Sequence, residues 1–157
     1  MPEGDSRPAP AARTVLSFDY GLRRIGVAVG NTLTGTAEAL ETIAAANGEP
    51  DWRAIDRVVA GWRPATIVAG VPYNMAGRGA RLTTAALRFA DQLADRYGIE
   101  VHRVDERLTS REAEDELRER RRSGTKPKRV RRGDVDREAA RLLLLQWLRA
   151  KPAQPGA

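Results

Sequence analysis

The chain has 157 residues, the size of one domain, and a net charge of +6; it has no cysteine and one histidine, His102. The missing thiols exclude thiolate zinc sites, iron–sulfur clusters, cysteine nucleophiles and disulfide scaffolds, and a lone imidazole excludes multi-histidine metal centres. No apolar run approaches the ~20 residues of a membrane span, and the N-terminus lacks the apolar stretch of a secretory signal, so a soluble, cytoplasmic protein is expected.

Residues 1–13 and 151–157 hold five of the nine prolines and almost no bulky apolar side chain. They read as a disordered N-terminal tail and a flexible C-terminal tail around one domain at 14–150. Within it, Thr14–Tyr20 reads as a strand with Leu16, Phe18 and Tyr20 on one face and Val15, Ser17 and Asp19 on the other. Arg24–Gly30 follows after a short turn, which implies a hairpin, and Thr36–Ile43 is a weaker third strand. Asp51–Arg63 carries a helical stripe of Trp52, Ile55, Val58, Val59 and Trp62, ended by Pro64. Thr66–Val71 is rich in β-branched residues, as a buried strand is. The loop Pro72–Arg81 leads to a helix at Leu82–Tyr97, striped by Leu82, Ala86, Phe89, Leu93 and Tyr97. Ile99–Val104 is the last strand; a highly charged helix at Thr109–Arg122 and a leucine-rich helix at Val135–Arg149 follow. Three strands joined by turns, then strands alternating with helices, predict a mixed five-stranded α/β sheet flanked by helices.

The charge is unevenly placed. Residues 118–132 contain nine cations and one acid, Glu119, so the remainder of the chain sums to −2. A near-neutral domain with one strongly cationic segment points to a polyanionic partner. A solvated loop in a chain with 24 arginines and three lysines is the plainer alternative.

Three acids stand where packing alone would not put them. Asp19 is near the C-terminal end of the strand with the clearest core character, Glu106 follows Ile99–Val104, and Asp136 lies in the first turn of the last helix, on one stripe with Ala140, Leu143 and Trp147. A carboxylate aimed at a core is costly unless paired or metal-bound, and three converging carboxylates would suit Mg²⁺ or Mn²⁺. Each also has a local reading: Asp19 bonded to the turn at Gly21, Glu106 paired with Arg103 or Arg107, and Asp136 favoured by the helix dipole behind an Asp134 N-cap. Thr109 and Glu112 form a capping box, so Thr109 reads as a cap and not as a nucleophile. His102 has no triad partner in view, and there is neither a Walker loop nor a GxGxxG fingerprint. The loop Gly70–Gly77 follows the C-terminal end of a strand, where α/β sheets often bind ligands.

Four segments together resemble the YqgF/RuvX family: FDYGLRRIGVAVGNTLTGTA (18–37), IVAGVPYNMAGR (67–78), VDERLTS (104–110) and VDREAARLLL (135–144). They are similar to the family patterns D-[YF]-G-x-x-x-I-G-V-A, G-L-P-x-N-x-x-G, D-E-R-L-[ST]-[ST] and D-x-x-A-A, in order and across nearly all of 14–150. Val71 stands for the usual Leu, and Ala76 for a frequent Asp. The basic loop is longer and more cationic than the family leads one to expect.

The resemblance implies a ribonuclease H-like fold and a metal-dependent phosphodiesterase acting on structured nucleic acid. Family members are described as Holliday junction resolvases and as pre-16S rRNA nucleases. The implied catalytic and metal-holding acids are Asp19, Glu106 and Asp136, with two Mg²⁺ or Mn²⁺ ions. Asn74 and Arg107 would orient phosphate, and Arg120, Arg121, Arg122, Lys126, Lys128, Arg129, Arg131 and Arg132 would hold the backbone by charge. Pre-rRNA, with ribosomal precursor particles as partners, is favoured over branched DNA, and no membrane is involved. Two rivals stand beside this: an actin-like ATPase turn at Asp19-Tyr20-Gly21, which needs two domains, and a non-catalytic RNA-binding factor with vestigial acids.

Overall fold

The computed structural model describes residues 13–72, 78–105 and 132–150. Strands β1 (Thr14–Asp19), β2 (Arg24–Asn31), β3 (Thr36–Ala46), β4 (Glu49–Pro50), β5 (Thr66–Val71) and β6 (Glu100–Asp105) form one sheet in the order β4-β3-β2-β1-β5-β6. β1 to β4 pair antiparallel in sequence, whereas β5 and β6 run parallel to β1. This is the mixed sheet of a ribonuclease H-like core, with three described helices: α1 (Trp52–Trp62), α2 (Arg78–Tyr97) and α3 (Arg132–Ala150).

The sheet has six strands where five were expected. The extra one is the two-residue β4, folded back on Ala45 and Ala46 through Asn47 and Gly48, whose φ angles are 53° and 86°. Asn-Gly at two positive φ angles is the sequence signal of a tight hairpin, and it makes the turn between β3 and β4.

β3 also runs three residues past Ile43. Its weak alternation has a cause: register shifts between Val27 and Ala28 leave Leu40 as an extra residue, and the phase of β3 flips there. Ala37 and Ala39 face one side before the bulge, Thr42 and Ala44 after it.

Both sides of the sheet are covered. Leu16, Phe18, Ile25, Val27, Ile67 and Val71 pack with Ile55 and Val59 of α1 and with Ala86, Phe89 and Leu93 of α2. Phe89 sits edge-on to Phe18 (centroids 5.9 Å apart) and against Tyr20 (5.0 Å). Val15, Ala28 and Val68 on the other face pack with Ala140, Leu143 and Leu144 of α3. The alternation read in β1 therefore separates two cores rather than core from solvent.

α1 begins at an N-cap, Asp51, whose side chain accepts the Ala54 N–H at 3.3 Å; it ends at Arg63 in the left-handed conformation, before Pro64. A polar clamp joins α1 to α2: Arg96 donates twice to Asp56 (2.8 and 2.9 Å), Tyr97 donates to the same carboxylate at 2.5 Å, and the Arg96 guanidinium lies 4.9 Å from the Trp52 ring centroid.

Two helix starts differ from expectation. α2 begins at Arg78, four residues before Leu82, and Thr83 Oγ1 donates to the Pro72 carbonyl, tying the helix to the end of β5. α3 begins at Arg132, so Asp134 is inside the first turn, paired with Arg137, and is not the N-cap. Asp136 consequently falls past the first turn, where the helix dipole gives an acid less support. The expected helix at Thr109–Arg122 and both tails, 1–12 and 151–157, lie outside the described residues.

Candidate active site

One row of residues crosses the sheet under α3. Reading from β3 to β6 in register, it is Thr42, Gly26, Asp19, Gly70 and Val104. Asp19 thus has a glycine beside it on each neighbouring strand, so neither register partner sets a β-carbon beside this half-buried residue. Strand interiors use glycine where another group approaches closely.

At Gly26 that group is α3 itself. A β-carbon on Gly26 would stand 1.9 Å from the Asp136 carbonyl oxygen and 3.1 Å from the Arg137 nitrogen. Neighbouring strands are ~4.8 Å apart, so the Asp136 backbone lies about one strand spacing from Asp19. The helix is fixed in this place by polar bonds on either side. Thr42 Oγ1 donates to the Gly133 carbonyl at 2.9 Å, and buried Ser17 donates to the Ala140 carbonyl at 2.7 Å. Ser17 is two residues before Asp19, and Ala140 one turn after Asp136, so the same contact sets the two acids side by side.

Arg24 completes the arrangement. Its Nε donates to Asp136 Oδ2 at 2.7 Å, in a half-buried ion pair that holds the carboxylate in one orientation. In the sequence analysis Arg24 and Gly26 are not singled out, and Gly70 figures only as the start of a loop at a strand end. The glycines interrupting two apolar strands were the available signal.

Of the expected site residues, Asp19 and Asp136 are brought together on one face. Glu106 lies outside the described residues, one peptide bond beyond Asp105 at the end of β6; the strand directs Val104 and His102 toward α3. Asn74, Arg107, Arg120, Arg121, Arg122, Lys126, Lys128, Arg129 and Arg131 are outside as well, as is the side chain of Arg132. Arg103, one suggested partner of Glu106, pairs with Asp91. His102 lies 3.2 Å from Glu100 and 5.3 Å from the Trp147 ring centroid, as a packing residue does.

Among the described residues no group of three or more metal-type ligands occurs. The donors that are present, two carboxylates with glycines around one of them, are hard oxygen ligands of the kind Mg²⁺ and Mn²⁺ take. The donor set therefore fits such an ion, with one Asp136 oxygen already engaged by Arg24.

Fold and acids together define the class: a ribonuclease H-like α/β protein with a first-strand carboxylate beside an acid from its last helix. A solved structure of this fold, Thermus thermophilus RuvC in complex with a Holliday junction substrate, matches at 18% identity with a TM-score of 0.55, covering 90% of this chain and 96% of that one. Sequence then gives the family. The profile described as "RuvX: Holliday junction resolvase" matches residues 13–150, and the chain belongs to this family. It is 46% identical to a protein of Azotobacter vinelandii over 90% of this chain and 96% of that one, and 42% identical to one of Haemophilus influenzae over 85% and 94%. Both relatives carry the name "Putative pre-16S rRNA nuclease". The protein is thus a member of a nuclease family, that is, of hydrolases of phosphodiester bonds. No described helix is long and apolar enough to cross a membrane.

Proposed function

We propose that this protein is a divalent-metal-dependent endonuclease that processes the 5′ end of pre-16S rRNA, with Asp19, Glu106 and Asp136 as its acids. The observation that carries the reading is the juxtaposition of Asp19, between Gly26 and Gly70, with Asp136 of α3, whose backbone rests on Gly26 of the neighbouring strand. The relatives at 42–46% identity favour RNA over DNA by their names.

When bound, Mg²⁺ or Mn²⁺ supplies Lewis acidity and an acidified water at the scissile phosphate. Asp19 and Asp136 offer the carboxylate oxygens that would hold it, joined by Glu106. Arg24 keeps the Asp136 carboxylate in place, so that little reorganisation is needed when the site fills. The chain has no cysteine, and hydrolysis by water requires no nucleophilic side chain. Asn74 and Arg107 orient the phosphate. The cationic segment 118–132 holds the nucleic-acid backbone by charge, without reading bases. The domain boundaries 14–150 and the cytoplasm as its place of work belong to the same reading.

The test is cleavage of a pre-16S 5′ leader RNA by purified protein with Mg²⁺ or Mn²⁺, beside Asp19→Asn. Cleavage that stops in Asp19→Asn, with fold and RNA binding retained, is the expected result; full activity in that variant refutes the assignment. A four-way DNA junction belongs in the same assay, because the family description and the RuvC fold speak for that substrate. If the wild type cleaves neither, the protein is an RNA-binding factor instead.

A further inference from the structure

On the face of the sheet opposite α3, a cleft of about 440 Å³ opens beside the end of β1. One wall is a pair of interlocked turns. Gly48 N–H donates to the Leu22 carbonyl at 3.0 Å, and the Tyr20 hydroxyl donates to the Gly48 carbonyl at 2.6 Å. Gly48 is at φ 86°, and a β-carbon on it would lie 3.1 Å from the Tyr20 hydroxyl and 3.3 Å from Leu22 Cδ2. Backbone bonds thus set this wall in advance of any ligand.

The other wall is one face of α2, where Arg81, Ala85 and Arg88 recur at helical spacing. Both arginines are exposed, and neither makes an ion pair with a carboxylate among the described residues. Glu49 is the one acid among the described lining residues. The volume falls within the range of small-molecule sites, and two guanidiniums facing a preformed wall suit a phosphate.

The position of the cleft narrows the ligand. Tyr20, one of its lining residues, directly follows Asp19; their Cα atoms are ~3.8 Å apart and their side chains take opposite faces of the sheet. For a nucleic-acid strand whose scissile phosphate meets Asp19, the way to Arg81 and Arg88 leads around this end of β1, where Tyr20 lines the cleft. We propose that this cleft is the subsite for the nucleotide flanking the scissile phosphate, with Arg81 and Arg88 on a phosphate and Leu22 and Ala85 against the base. The assignment of which nucleotide enters rests on the nuclease reading above; the binding does not.

The test compares three full-length proteins: wild type, Arg81→Ala/Arg88→Ala, and Arg53→Ala/Arg57→Ala, which removes the same charge from exposed positions of α1. Binding of a fluorescein-labelled single-stranded RNA carrying the pre-16S 5′ leader is read by anisotropy in chelator, across a potassium chloride series, with thermal melts to verify folding. Losing two phosphate contacts should weaken binding about tenfold and flatten the log Kd against log salt slope by about 1.4, while the α1 pair changes Kd less than about twofold. An unchanged slope in Arg81→Ala/Arg88→Ala, equal losses in both pairs, or wild-type protein that binds no RNA each overturns the subsite. If the wild type binds RNA but cleaves none with Mg²⁺ or Mn²⁺, the nuclease reading falls while this comparison still decides the cleft.

Discussion

The Asp136 carbonyl oxygen rests on Gly26 so closely that a β-carbon there would stand 1.9 Å from it. Asp136 reaches the row of Asp19 because β2 has no side chain at that point. Gly26→Ala must push α3 off the sheet, and overpacking of this kind costs about 1–3 kcal/mol, here toward the upper end because backbone meets backbone. Urea unfolding should show that loss, with nuclease activity falling further than the stability change explains. Unaltered activity would mean that the closeness of the helix is incidental.

Ser17 is fully buried and donates to the Ala140 carbonyl at 2.7 Å. Ser17→Ala removes this link between β1 and α3 and should cost about 1–2 kcal/mol. The denaturant midpoint reports it, with the m-value unchanged.

Arg24 and Asp136 are 2.7 Å apart, with side-chain exposures of 36% and 23%. An ion pair so accessible contributes little to folding, so Arg24→Ala should lower stability by about 1 kcal/mol or less. Its effect on turnover should be larger, about tenfold in kcat, equivalent to ~1.4 kcal/mol of barrier. Steady-state kinetics beside thermal melts separate the two effects.

Hydrogen bonds from Arg96 and then Tyr97 lower the Asp56 carboxyl from 3.8 to about 2. A depressed pKa stabilises the fold above the unfolded value, and that contribution disappears as pH falls through the folded one. Wild-type stability should therefore decline from pH 3.8 toward 2 more steeply than that of Asp56→Asn, measured as urea midpoints across this window. Parallel profiles for the two proteins would show that the clamp does not hold α1 to α2.

Gly61, near the end of α1, gives the opposite sign to Gly26. Nothing lies within 4 Å of a β-carbon placed there, and its φ is not positive. Gly61→Ala should raise stability by about 0.5 kcal/mol through helix propensity, visible as a higher melting temperature.

Much of this protein is local and periodic, and therefore legible in the chain. Alternation in β1 puts Ser17 and Asp19 on one face and Leu16, Phe18 and Tyr20 on the other. The spacing of Asp136, Ala140 and Leu143 puts an acid on the apolar stripe of α3. Both follow from side-chain periods of two and 3.6 residues, which need no partner to be read. Asn47-Gly48 is equally local, a hairpin signal carried by two adjacent residues.

What pairs with what was decided only by tertiary structure. Gly26, Asp19 and Gly70 share a row because of strand register, and a shift of one residue would send Asp19 to the opposite face. The bulge at Leu40, which resets the phase of β3, is a property of two strands and not of one. Arg24 meets Asp136 across 112 residues of chain, and Arg81 and Arg88 face the turn at Gly48 across the cleft only once α2 has packed on the sheet. Packing two elements against each other creates these neighbours, so no window along the sequence contains them.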